Sequence, residues 1–163
     1  MDEILIAYAT KHGSTHEVAE AIAGWLAEAG VETHTLPASR VHDLDEFDAV
    51  VLGAPLYMGR WHGDARAFVR RHREALAAKP FAVFALGPLE DTEAQWRGAR
   101  AQLDKALSGV SPVAVGLFGG TIVPETLHFP FSTMAAGDLR DWDDIREWAA
   151  TLPELLGIRV PVG

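Results

Sequence analysis

Apolar residues in this chain occur in two arrangements: short unbroken runs, and longer stretches where they recur three and four positions apart. The runs Ile4–Tyr8, Ala49–Ala54, Phe81–Leu86 and Val113–Phe118 predict buried strands. Glu32–Leu36 alternates polar and apolar residues and predicts a weaker strand at a sheet edge. Helical spacing predicts helices over Ser14–Glu28, His62–Ala77, Glu93–Leu107 and Asp143–Leu155. The first presents Val18, Ala19, Ile22, Ala23 and Leu26 on one face, and the second Ala65, Phe68, Val69 and Leu76. Thr92 with Gln95, and Asp141, are the expected caps of the last two. Strands interleaved with helices predict an α/β three-layer sandwich around a parallel sheet. Five strands in 163 residues fit the doubly wound order 2-1-3-4-5. We expect one domain over residues 1–156 and a mobile C-terminal tail over 157–163.

That order predicts where a ligand sits. Such sheets bind beyond the carboxyl ends of their strands, where the winding direction reverses. Here the reversal lies between the first and third strands, bordered by the loops Thr10–Thr15 and Pro55–Trp61, with Gly87–Asp91 on the far side. The first loop is Thr10-Lys-His-Gly-Ser-Thr15, between a strand and a helix. Free N–H groups of a first helical turn, the helix dipole and hydroxyls of Thr10, Ser14 and Thr15 make an anion cradle. Gly13 permits close backbone approach or a positive φ. Ser14-x-x-Glu17 also reads as a capping box, which alone explains Ser14. The loop has neither the Gly-Lys-Ser/Thr of a nucleoside triphosphate loop nor Gly-x-Gly-x-x-Gly, so a phosphate monoester suits it better than a triphosphate or a nicotinamide dinucleotide.

The second loop, Ala54-Pro-Leu-Tyr-Met-Gly-Arg-Trp-His62, carries Tyr57, Met58 and Trp61 in a connection that should face water. It reads either as an apolar wall for a planar ligand or as cover for neighbouring helix ends. On the first reading Gly59 lets the backbone reach the ligand edge, with Arg60 and His62 beside it as cations or proton donors.

Composition narrows the chemistry. There is no cysteine, so redox activity requires a bound cofactor. The net charge of −9 argues against nonspecific binding to nucleic acid or anionic lipid. The N-terminus is acidic and no run reaches transmembrane length, so we expect a cytoplasmic protein without stable membrane insertion. His12 and His16 have a metal-ligand spacing but no convergent third ligand, so no metal site is expected. No Gly-x-Ser-x-Gly elbow of a hydrolase occurs. A phospho-receiver would need acidic residues where Ala9-Thr10-Lys11 and Gly53-Ala54-Pro55 stand.

Thr10-x-x-Gly-Ser-Thr15 resembles the phosphate loop of the flavodoxins. Met58-Gly-Arg-Trp-His62, Val115-Gly-Leu-Phe-Gly-Gly120 and Gly137-Asp-Leu-Arg-Asp-Trp-Asp143 are similar to turns of the flavodoxin-like menaquinone-dependent protoporphyrinogen dehydrogenases and related bacterial flavodoxin domain proteins. The resemblance implies FMN. Its phosphate would lie at Thr10, Lys11, His12, Gly13, Ser14 and Thr15. Its ring would lie against Pro55, Leu56, Tyr57, Met58 and Gly59, with further contacts from Leu86, Gly87, Gly119 and Gly120. Arg60 and His62 are the implied catalytic candidates, and Gly59 the implied backbone contact at flavin N5. The activity implied is two-electron redox chemistry on a small organic substrate or quinone; a shuttle serving a partner reductase is the alternative. Departures from the pattern are Met58 where Tyr is common, no aromatic in Gly87–Asp91, and no Lys or Arg in residues 121–136.

Overall fold

The computed structural model describes residues 2–10, 13–57, 59–88, 92–122 and 137–161. Its strands are β1 (Glu3–Tyr8), β2 (Glu32–Pro37), β3 (Ala49–Tyr57), β4 (Arg60–Trp61), β5 (Phe81–Leu86), β6 (Ala114–Phe118), β7 (Thr121–Ile122) and β8 (Gly137–Asp138). Its helices are α1 (Ser14–Glu28), α2 (Gly63–Arg71), α3 (Arg73–Ala78), α4 (Glu93–Leu107) and α5 (Trp142–Leu155). The main sheet runs β2-β1-β3-β5-β6, all parallel, so its five long strands stand in the expected 2-1-3-4-5 order. β7 and β8 pair with each other, Thr121 opposite Asp138 and Ile122 opposite Gly137.

Alternation along the strands divides the core. Leu5, Ala7, Val50, Leu52, Val83 and Ala85 face one side, where Phe68, Val69 and Leu76 of α2–α3 and Leu103 and Leu107 of α4 cover them. Ile4, Ile6, Val51, Ala82 and Phe84 face the other, beneath Val18, Ile22 and Leu26 of α1 and Ile145, Ala149 and Leu152 of α5. Each such large apolar side chain contributes about 1.5–3 kcal/mol on burial. The edge strand β2 alternates as expected, but Glu32, His34 and Leu36 are the exposed set, and Thr33, Thr35 and Pro37 turn to the half-buried side.

Four features differ from expectation. The helix expected over His62–Ala77 is two helices, broken at His72, whose φ of −109° and ψ of 20° leave the helical region. β3 continues three residues past Ala54 to Tyr57, because β4 pairs with it antiparallel, Leu56 opposite Trp61 and Tyr57 opposite Arg60. Ser14 is the first residue of α1 and not its cap; Gly13 occupies that position at φ +88°, with no side-chain cap bond. Tail residues 157–161 lie against the body: Ile158 is buried, and the Arg159 N–H donates to Asp2 Oδ2 at 2.8 Å. The Thr92 and Asp141 caps form, accepting from the Gln95 and Asp144 N–H groups at 3.2 and 3.1 Å.

Candidate functional site

The carboxyl ends of β1 and β3 meet at the reversal of the sheet, where two loops emerge side by side. In the first, the Gly13 N–H donates to Thr10 Oγ1 at 2.8 Å. Gly13 takes φ +88°, a conformation that excludes most side chains, and nothing lies within 4 Å of where its Cβ would be. The first intrahelical bond of α1 runs from the Glu17 N–H to the Gly13 carbonyl at 3.1 Å. The amides of Ser14, Thr15 and His16 precede it and are left for a ligand or solvent. Thr15 is fully buried, and its hydroxyl has no hydrogen-bond partner among the described residues. Lys11 and His12 lie outside the described residues.

Arg140 braces this loop, a role that the sequence pattern did not disclose. Its side chain is 8% exposed. Nε and Nη2 grip the Asp138 carboxylate at 2.9 and 2.8 Å, and Nη1 donates to the Ser14 carbonyl at 3.3 Å. The guanidinium also lies over the Trp142 ring, 5.0 Å from its centroid. The hydrogen bonds to Asp138 are the main reason its pKa is raised above the ordinary arginine value, against the opposing effect of burial. A fixed positive charge thus stands at the first turn of α1.

The second loop is held from below. Trp61 is 1% exposed, and its Nε1 donates to the Ala54 carbonyl at 2.9 Å. It is a core residue that pins the β3–β4 turn, and the expectation of a Trp61 wall gives way to that role. Tyr57 is half-buried and stands opposite Arg60 in the hairpin. Gly59 takes φ +79° with open space around its Cβ position, as a tight turn requires. The His62 N–H donates to the Pro55 carbonyl at 3.0 Å, and His62 Nδ1 accepts from the Asp64 N–H at 3.1 Å. His62 therefore caps α2, which commits Nδ1 as acceptor and leaves Nε2 to carry the proton. Met58 lies outside the described residues.

A cleft of about 660 Å³ joins the two loops, lined by Thr10, Tyr57, Arg60, Trp61, His62, Gly63 and Arg66. Arg66 was not singled out by the sequence; its Nε donates to the Trp61 carbonyl at 2.9 Å. The remaining candidates form the rim. Leu56 packs partly against the core, and Leu86 is buried within it. Gly87 lies so near Leu56 that a Cβ there would come 3.1 Å from the leucine Cβ. Gly119 is closed over by the chain itself, since a Cβ there would strike the Leu139 carbonyl. Gly120 accepts from the Leu139 N–H at 2.9 Å. The structure thus gathers Thr10, Tyr57, Arg60 and His62 around one cleft, and Gly13–Thr15 open α1 three residues beyond Thr10.

His16 is engaged elsewhere. Its ring stacks on Tyr8 at 4.7 Å, and Nε2 meets Glu20 Oε1 at 3.1 Å. The one grouping of potential metal ligands among the described residues, Glu3, Glu32 and His34, lies at the opposite end of the sheet, with His34 Nε2 3.2 and 3.6 Å from the two carboxylates. No helix among the described residues is long and apolar enough to cross a membrane.

Comparison with known proteins follows the same geometry. The oxidised flavodoxin 1 of Bacillus cereus superposes with a TM-score of 0.61 at 19% identity, over 96% of this chain and 98% of that one. Rubredoxin oxygen:oxidoreductase of Desulfovibrio gigas superposes with a TM-score of 0.61 at 15% identity, over 96% of this chain and 36% of that one. At these identities the likeness establishes the fold. In sequence, protoporphyrinogen IX dehydrogenase [quinone] of Escherichia coli (strain K12) is 30% identical over 84 residues, 50% of this chain and 46% of that protein. The chain spans about half the length of the curated relatives it matches. A family model described as "Flavodoxin domain" matches residues 5–134, which carry β1 from Leu5 onward, the other four long strands and both crevice loops. On that match the chain belongs to the flavodoxin domain family.

Proposed function

We propose that this chain binds FMN at the crevice and acts as an oxidoreductase between a small organic donor and a quinone-type acceptor. The observation that carries the reading is the Thr15 hydroxyl, fully buried and unpartnered beneath the open N-terminus of α1. A buried hydroxyl without a partner costs about 1–3 kcal/mol, so its retention is explained when a ligand oxygen completes it. The amides of Ser14 and Thr15, the α1 dipole and the space beside Gly13 fit a phosphate dianion. Arg140 holds the Ser14 carbonyl back and adds positive charge without entering the cradle.

When bound, the isoalloxazine supplies the electron-transfer chemistry. The chain's own residues position it. Tyr57 offers an aromatic wall, and the Gly59 backbone at the turn is free to meet the ring edge. Arg60 and Arg66 place positive charge along the cleft, where it favours an anionic reduced cofactor or an anionic substrate group. His62, with Nδ1 engaged, presents its Nε2–H as a donor only. The loop Gly87–Asp91 carries no aromatic, which leaves one flank of the ring to a substrate. The partial identity to a quinone-dependent protoporphyrinogen dehydrogenase supports this reading. The shuttle alternative draws on one observation: residues 121–136 contain no Lys or Arg with which to engage an acidic substrate. We further propose that residues 1–156 form a single domain, that the protein works in the cytoplasm, and that nucleic acid is not a partner.

The test is titration of the flavin-free protein with FMN, FAD and riboflavin, followed by anaerobic assay of the loaded protein. FMN should bind much more tightly than riboflavin. Turnover of an organic donor with a menaquinone analogue is expected; equal affinity for riboflavin would contradict the phosphate cradle. Electron exchange with a reductase, with no turnover on any donor–quinone pair, would replace the enzyme reading with the shuttle.

A further inference from the structure

We propose that a second anion site lies in the groove between α2–α3 and α4, and that it takes a compact ligand bearing two or more phosphate or carboxylate groups. The groove has a volume of about 390 Å³, within the range of small-molecule sites. Arg60, Arg66, Arg70, Arg73 and Lys105 line it, and among the described residues no carboxylate does. The whole chain has 14 Lys and Arg against 23 Asp and Glu. Five cations facing one groove therefore run against the composition of the surface, and like charges held together repel.

The helices build this arrangement. Arg66 and Arg70 are four apart on α2 and share a face. Arg73 opens α3. Gln102 and Lys105, three apart on α4, answer them from the other wall. Two cations are fixed by backbone: Arg66 Nε donates to the Trp61 carbonyl at 2.9 Å, and Arg73 Nη1 to the Ser108 carbonyl at 2.6 Å. The second bond also covers a carbonyl at the negative end of the α4 dipole, which would otherwise oppose an anion. Arg60, Arg70 and Lys105 have no hydrogen-bond or ion-pair partner among the described residues. Anchored guanidiniums beside free ones suit forked recognition of oxyanions.

Arg60, Trp61 and Arg66 line both this groove and the crevice cleft. A ligand held here by its charged end would therefore extend toward the cofactor position. This relation rests on the FMN reading; the anion site itself does not.

Calorimetric titration with inorganic pyrophosphate and, separately, citrate tests it on the wild-type chain, on Arg70→Gln/Lys105→Gln and on Thr15→Val. Both substituted groove side chains are exposed, so the double variant should fold, as circular dichroism would show. We expect binding to the groove that is at least tenfold weaker in the double variant and unchanged in Thr15→Val. Affinity should weaken as ionic strength rises from roughly 0.01 to 0.15 M. Tighter pyrophosphate marks a phosphoryl ligand, and tighter citrate a polycarboxylate. Absence of binding by either anion at millimolar concentration overturns the proposal. So does binding that survives the double substitution but is lost in Thr15→Val, which would place the anion in the first loop and leave the FMN reading standing. Groove binding alongside a failure to bind FMN would sink that reading alone.

Discussion

Thr15→Val separates a cofactor ligand from a structural hydroxyl, because the two roles predict opposite effects on the flavin-free protein. Thr15 is 0% exposed and its hydroxyl has no partner among the described residues. Valine keeps the shape of the side chain, and its helix propensity is close to that of threonine. Removing an unsatisfied buried hydroxyl should therefore stabilise the flavin-free protein by about 1 kcal/mol. In a domain of this size that raises Tm by roughly 2–4 °C. FMN binding should move the other way. A hydrogen bond to a charged phosphate is worth about 1.5–3 kcal/mol, so Kd should rise roughly 10- to 100-fold. Riboflavin, which lacks the phosphate, should bind the variant and the wild type alike. Flavin fluorescence quenching gives the affinities, and differential scanning fluorimetry the stability. A variant that loses flavin-free stability while keeping its FMN affinity would refute the reasoning, since the hydroxyl would then be serving the fold.

Other consequences follow from single residues. A Cβ on Gly53 would fall inside the edge of the Phe84 ring; Gly53→Ala should cost about 1–3 kcal/mol in denaturant unfolding, and Phe84→Leu should relieve much of it in a double-mutant cycle. His72 is buried against Phe68 with Nε2 unpartnered, and burial, then Arg71, hold its pKa below the ordinary 6.5. Below pH 6.5 the unfolded chain therefore takes up a proton that the folded one refuses, and stability falls as pH drops. The slope from this group is at most about 1.4 kcal/mol per pH unit, and an unchanged pH profile in His72→Gln would argue against it. Arg140→Ala removes the grip on Asp138 and the bond to Ser14; we expect a loss of about 1–3 kcal/mol together with weaker FMN binding. Arg140→Lys should recover part of the FMN affinity through its charge. The Glu17 contact adds little, since that carboxylate is 62% exposed.

The sheet was legible because β1, β3, β5 and β6 are apolar runs with faces to bury on both sides, and β2 alternates as an edge strand does. β5, α1 and α4 fall where periodicity put them. Periodicity failed where local geometry outranked it. Nothing in the spacing of Ala65, Phe68, Val69 and Leu76 reports that the backbone breaks at His72, since both helices keep the same inward face. Ser14 matched a capping pattern, but Gly13 reaches a positive φ more cheaply and took the position. Trp61 read as loop material because β4 is two residues long, too short to show alternation; its burial follows from an indole bond seven residues back in the chain. Arg140 and Arg66 escaped notice for a different reason. Arg66 bonds a backbone carbonyl, and Arg140 ties the nearby Asp138 carboxylate to the Ser14 carbonyl, 126 residues away; charge alone does not announce either carbonyl. The two loops could be placed side by side from the sequence because the strand order brings the carboxyl ends of β1 and β3 together.

The β7–β8 ladder has a bearing on how this chain could change. The backbone leaves at Ile122 and returns at Gly137, and those two residues are paired. Whatever lies between begins and ends at one gate beside the crevice, with Gly119 closed against Leu139. Doubling the length of that stretch adds only about 0.6 kcal/mol of closure entropy. Because the two ends are held opposite each other in register on one ladder, a change in the length of the connection between Ile122 and Gly137 leaves the five-stranded sheet to stand on its own contacts.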